Sequence, residues 1–142
     1  MRYDLDANVL VSLFTTDALS VAAERFMNDI ADTILVSDFA RAEFVAVIGR
    51  LCRSARLTPA LADDILAAFD TWIAAGPNHT SLTTADVAWS EGTLRRFDLN
   101  LHAPDALHIA IARRLDANLV TFDRRMEQAA RSLGVATEGI VP

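Results

Sequence analysis

The sequence predicts an α/β domain of three layers, with a central, mainly parallel sheet of four to five strands covered by helices on both faces. Three observations lead there. Short apolar runs, Thr33-Ile34-Leu35-Val36 and Asn118 to Phe122, have the composition of strands buried on both sides. Between such runs lie stretches whose apolar residues recur every three or four positions, the period of an amphipathic helix. A chain of 142 residues with 52% hydrophobic content suits one core, so residues 1–142 are read as a single domain.

Taken in order, Tyr3 to Asp6 predicts a short buried strand ending in an acid, with a turn and helix over Asn8 to Leu13. From Asp17 the pairs Ala18/Leu19, Ala22/Ala23 and Phe26/Met27, then Ile30, put an apolar face on a helix capped near Asp17. After the Thr33–Val36 strand, Ser37 or Asp38 caps a helix carrying Phe44, Val47, Ile48 and Leu51. Thr58-Pro59 supplies a cap and a first-turn proline for the next helix, with Leu61, Ile65, Phe69, Trp72 and Ile73 on one side, and Gly76-Pro77-Asn78 stops it. His79 to Thr83 reads as a short edge strand. Val87, Leu94 and Phe97 suit a helix reaching about Phe97. Pro104 opens another helix, Asn118–Phe122 is the second buried strand, and Met126 to Leu133 forms a helix stopped by Gly134. Ile140-Val141 closes with a last strand.

Composition narrows the function. The net charge of −6 argues against passive nucleic-acid binding, which draws its affinity from a basic surface. All 13 basic residues are arginines, so no reaction here uses a lysine amine. Cys52, the lone cysteine, excludes an internal disulfide and reads as a small buried hydrophobe. No segment approaches the roughly 18 apolar residues of a membrane span, and Met1-Arg2-Tyr3-Asp4 turns acidic where a secretory leader turns apolar. The expectation is a cytoplasmic protein without membrane contact.

In a parallel sheet, ligands bind beyond the carboxyl ends of the strands. Four acids fall there: Asp6 after the first strand, Glu43 early in the helix after the second, Asp105 behind Pro104, and Asp123 after Asn118–Phe122. Brought together in a partly dry cleft they repel one another, which calls for raised pKa values or a divalent cation. Oxygen ligands alone select Mg²⁺ or Mn²⁺. Each acid also has a structural explanation: Asp105 favours a helix dipole, and Asp123 caps the last long helix.

These residues resemble the signatures of the PIN-domain family. The matching segments are Tyr3-Asp4-Leu5-Asp6-Ala7-Asn8-Val9-Leu10, Glu43 in Ala42-Glu43-Phe44, Pro104-Asp105-Ala106-Leu107-His108-Ile109-Ala110, and Leu119-Val120-Thr121-Phe122-Asp123-Arg124-Arg125-Met126. The resemblance implies a PIN-like fold and a catalytic metal site of Asp6, Glu43, Asp105 and Asp123, with Glu43 acting through water, and Asn8 and Thr121 as polar support. It further implies Mg²⁺-dependent hydrolysis of RNA phosphodiester bonds, with Mn²⁺ as a substitute. Asp4 departs from the pattern, since many members carry an apolar strand residue there. A bare PIN domain also resembles the stand-alone toxins called VapC, which implies a VapB-type antitoxin as partner and a homodimer, for which Trp72, Trp89 and the Leu61–Ile73 helix offer apolar surface.

Three alternatives compete. Asp4-Leu5-Asp6-Ala7-Asn8 is similar to the nucleophile motif of haloacid-dehalogenase-like phosphatases, but Asn8 replaces the usual threonine and no lysine exists to hold a phospho-aspartate; a receiver-like domain fails on the same lysine. His102, Asp105 and His108 have spacings suggestive of Zn²⁺, but Pro104 separates His102 from the helix bearing the others, so His108 is read as packing or hydrogen bonding within the domain. A catalytically inactive PIN-fold RNA-binding module would have no reason to keep four repelling acids.

Overall fold

The computed structural model describes residues 1–140, to which every structural statement below refers. Five strands, β1 (Arg2–Leu5), β2 (Thr33–Ser37), β3 (Asn78–Thr80), β4 (Asn118–Thr121) and β5 (Thr137–Gly139), form one sheet in the order β3-β2-β1-β4-β5. Every pairing is parallel. The predicted architecture is therefore present, with β1 in the middle: Tyr3 is in register with Ile34 on one side and Asn118 on the other. The chain leaves β1 towards β2 and β3, then returns across it to β4. The strand order thus reverses at β1, the position at which parallel sheets open a crevice for ligands.

Seven α-helices connect the strands: α1 (Ala7–Phe14), α2 (Ser20–Asp29), α3 (Asp38–Arg53), α4 (Pro59–Ala75), α5 (Thr84–Leu94), α6 (Ala103–Arg114) and α7 (Arg124–Ser132). The larger core joins Tyr3, Leu5 and Val36 of the sheet to Val9, Leu10, Phe44, Ile48 and Phe69 of α1, α3 and α4. Phe14, Phe44, Phe69 and Trp72 form its aromatic centre, with Phe44 and Phe69 centroids 4.1 Å apart. A second core joins Leu119 of β4 to Ile109, Ala112, Met126, Ala129 and Ala130 of α6 and α7. No helix is long and apolar enough to cross a membrane.

Local chemistry sets several helix starts as expected. Ser37 Oγ accepts from the Ala40 amide at 3.0 Å, and Thr58 Oγ1 accepts from Leu61 at 3.2 Å with Pro59 at the first helical position. Gly134 ends α7 with φ of 75°, in the left-handed region that glycine enters without strain. Asp17 acts one turn early: its Oδ1 accepts from the Leu19 amide at 2.7 Å, and α2 starts at Ser20.

Three expectations are corrected. The last strand is Thr137–Gly139, with Ile140 beyond it and Val141 outside the described residues; its register on β4, not apolarity, makes it a strand. The edge strand β3 likewise runs over Asn78–Thr80 instead of His79–Thr83. The helix predicted to reach Phe97 stops at Leu94, and its inward face is not the apolar one. Phe97 is 91% exposed and Val87 49% exposed, whereas Asp86, Ser90 and Thr93 are buried. Spacings of four and three put those polar residues on one side of α5, and Arg114 of α6 meets Asp86 there through Nε at 2.9 Å while also donating to the Ser81 carbonyl.

That ion pair defines a test. Burial raises the Asp86 pKa, but hydrogen bonds from Arg114 and Thr83 outweigh it and hold the carboxyl below its usual range. A carboxylate depressed on folding contributes stability above the unfolded pKa of about 4, and loses it as pH falls through the folded value. Asp86→Asn is expected to cost roughly 2 to 3 kcal/mol at pH 7. Urea unfolding at pH 7 and at pH 3 should show that penalty shrinking in acid.

Candidate active site

The carboxyl ends of β1 and β4 meet the starts of α1, α6 and α7 at a cleft of about 580 Å³ whose lining includes Asp6, Asn8, Glu43, Arg50, Asp105, His108 and Asp123. The four acids singled out from the sequence therefore face one cavity. Asp6 ends β1, with its amide bonded to the Val120 carbonyl at 3.0 Å. It is also the N-cap of α1, yet its carboxylate makes no capping bond, so both oxygens are left for the site. Oδ2 accepts from the Thr121 hydroxyl at 2.8 Å, and Oδ1 lies 3.2 Å from His108 Nε2.

Thr121 is a junction. Its Oγ1 donates to Asp6 and accepts from Asn8 Nδ2 at 3.1 Å and from the Asp123 amide at 3.0 Å. Asn8 Oδ1 in turn accepts from the Phe122 amide at 3.2 Å. One hydroxyl and one amide thus tie the end of β4 to the start of α1, more than a hundred residues earlier in the chain.

Asp105 and Asp123 line the cleft and at the same time fasten the starts of their helices. Asp105 Oδ2 accepts from the His102 amide at 3.0 Å, across the start of α6. Asp123 Oδ1 caps α7, accepting from Arg125 and Met126, and Oδ2 lies 3.6 Å from the Arg125 guanidinium. Glu43 projects from α3 and reaches His108 Nε2 at 2.5 Å.

His108, read from the sequence as packing or hydrogen bonding within the domain, is 1% exposed, packs against Phe39, and has its Nε2 between Asp6 and Glu43. The spacing of three from Asp105 on α6 was the available signal. His102 is exposed and keeps only Asp105 for company, so the two histidines do not share a site. The residues whose ligand atoms converge, all within 4.8 Å, are Asp6, Glu43 and His108.

Charge explains the arrangement. Burial pushes the Asp6 carboxyl up, as does the like charge of Glu43, while His108 and the Thr121 hydroxyl pull against them; the net direction is upward. Burial lowers the His108 pKa, but the hydrogen bond to Glu43 and the charges of Asp6, Glu43 and Asp4 prevail and raise it. Asp4 lies behind, 1% exposed, and is pushed up to about 7, chiefly by burial and further by Asp6 and Asp86, against the opposing charges of His108 and Arg114. Such a cluster suits a divalent cation, which would offset carboxylate charge that His108 balances only in part.

A family model described as PIN domain matches residues 3–132. The chain belongs to the PIN domain family. Solved structures with this PIN fold include the Mycobacterium tuberculosis VapC20, a sarcin-ricin loop cleaving toxin, at 18% identity over 89% of this chain and 94% of that one, with a TM-score of 0.74. Another is FitAcB from Neisseria gonorrhoeae, at 15% identity over 95% of both chains, TM-score 0.73. A third is DNA-bound VapBC from Salmonella typhimurium, at 14% identity over 99% of both, TM-score 0.71. A search of curated proteins finds no match. In this PIN domain each of the four matched segments contributes residues to the cleft lining, and the haloacid-dehalogenase alternative loses its nucleophile, since buried Asp4 does not line the cleft.

Thr121→Val keeps the shape and removes the hydroxyl that three neighbours use. We expect a loss of roughly 2 to 4 kcal/mol in urea unfolding, with a larger loss than for Asn8→Ala, which removes one donor and one acceptor.

Proposed function

We propose that this PIN domain, taken as one domain over residues 1–142, is a divalent-cation-dependent endoribonuclease that hydrolyses RNA phosphodiester bonds, and the toxin of a VapBC-type toxin–antitoxin pair. The observation that carries the proposal is the cleft itself: four acids from four separate segments face one cavity where the strand order reverses. Asp6, Asp105 and Asp123 would hold Mg²⁺, or Mn²⁺ in its place, with Glu43 beside them. A bound cation supplies Lewis acidity, neutralising charge on the phosphate and making water a better nucleophile. Thr121 and Asn8 keep the Asp6 carboxylate and the Asp123 backbone from swinging as charge changes. Glu43, half-buried, would orient the water that attacks phosphorus in line with the breaking P–O3′ bond and take up its proton, while the departing 3′ oxygen takes a proton from solvent.

RNA must approach a strongly acidic cavity, which requires a cation on the rim. Arg50 fits: on α3 it stands seven residues, two turns, beyond Glu43, and it lines both the cleft and an adjoining apolar groove. It holds a phosphate next to the scissile one. The antitoxin is read as a segment bringing its own positive charge to the same acids, consistent with a chain of net charge −6. The active form is read as a homodimer in the cytoplasm, with sedimentation velocity on the purified chain as the check on its size.

Labelled total RNA provides the main test. The wild type is expected to cut with Mg²⁺ or Mn²⁺ and stop in excess EDTA, and Asp6→Asn to be at least a hundredfold slower. A folded wild type, freed of antitoxin, that never cuts with either metal would remove the nuclease assignment. Arg50→Ala should raise KM about tenfold with little change in kcat, because it weakens binding without touching the reacting atoms; an unchanged KM would take Arg50 out of the RNA path.

A further inference from the structure

Among the described residues, four buried side-chain atoms lack a hydrogen-bond partner: both carboxylate oxygens of Asp4, His108 Nδ1 and Ser90 Oγ. Orphaned groups in a folded core need an explanation, and two of these explain each other. Asp4 lies on β1 and Asp6 one residue past its end, still extended, so the two side chains share the face on which α6 packs. His108 Nε2 is already committed to the Asp6 side, 3.2 Å from Oδ1. The ring's other nitrogen is buried and unpartnered, as is the Asp4 carboxyl, and of all charges near Asp4 that of His108 acts on it most strongly. An imidazole with one nitrogen on a metal site and the other facing a carboxylate is the arrangement by which proteins orient a histidine ligand.

Resting on the metal-dependent reading above, we propose that the cation in this cleft is bound by nitrogen as well as oxygen, with His108 Nε2 as a ligand beside the Asp6 carboxylate, and Asp4 as the positioning residue that accepts a hydrogen bond from Nδ1–H through one water. The distances suit it. Neighbouring ligands on a six-coordinate cation of this size lie about 3 Å apart, close to the 3.2 Å between Asp6 Oδ1 and His108 Nε2. Glu43 now hydrogen-bonds Nε2 at 2.5 Å and has to withdraw slightly; being only half-buried, it has room. Nitrogen ligation favours Mn²⁺ over Mg²⁺. It also gives a purpose to Asp4, a costly acid in the middle of a buried strand. Its neighbours Tyr3 and Leu5 face the larger apolar core.

The test reads the metal without RNA. The full chain, stripped by chelator, is loaded with Mn²⁺ and examined by pulsed EPR for coupling to a directly bound ¹⁴N. Coupling is expected in the wild type and in His102→Gln, and not in His108→Gln. Should His108→Gln fail to fold by circular dichroism, ¹⁵N labelling of the histidines in His102→Gln identifies the ligand without altering His108, because His79 lies on the far edge strand. Asp4→Val removes the orphaned carboxylate, so it should fold at least as well, and is expected to bind Mn²⁺ about tenfold more weakly. Mn²⁺ that needs Asp6 yet shows no nitrogen coupling overturns the proposal and leaves the nuclease assignment standing. Unchanged affinity in Asp4→Val overturns the part given to Asp4. No saturable Mn²⁺ binding, in a chain that also fails to cut RNA, overturns both.

Discussion

Asp6 stands at the end of the middle strand with its carboxylate almost wholly out of water, and the surrounding structure is arranged to make that tolerable. A carboxylate in such a place needs donors and a counter-charge. Thr121 from β4 gives one donor and His108 from α6 a second partner, so the strand on one side of β1 and the helix over it are both tied to Asp6. The ties extend outward: Thr121 is held by Asn8, His108 by Glu43, and Asp123 by its own helix cap. What looks like a catalytic cluster is at the same time the polar fastening between β1, β4, α3 and α6.

Much of this was legible in the sequence, and the limits have physical causes. Strands β2 and β4 announce themselves because both faces are buried, which leaves only apolar choices; Leu35, Val36, Leu119 and Val120 have no other reason to be consecutive. Strands β3 and β5 are three residues long, Asn78-His79-Thr80 and Thr137-Glu138-Gly139, and polar enough that only register against a neighbour makes them strands. The α5 face was misjudged because its partner is an arginine. Apolar periodicity is silent about a helix that buries Asp86, Ser90 and Thr93.

The candidate site divides in the same way. Asp6, Glu43, Asp105 and Asp123 could be picked out because strand ends and first helical turns are places where position in the chain already implies position in space. His108 could not be assigned its neighbours, since they come from β1 and α3 and depend on how α6 crosses the sheet. Asp4 was visible as an oddity in a buried strand, but its setting emerged only with α6, which brings both His108 and the Arg114–Asp86 pair to bear on it.

The strand order has a consequence for how such a chain comes into being. Residue 3 must find residue 118 before the central strand has its second neighbour, and Asp6 must find Thr121 before its carboxylate has a hydroxyl. Pairings so far apart in sequence are slow to form and are the last to be rewarded. During synthesis, an emerging chain can assemble β1, β2, β3 and the helices between them while the second wall of the cleft is still unmade. The cleft's second wall, which carries Asp105, His108 and Asp123, is therefore added only once the chain through Asp123 has left the ribosome.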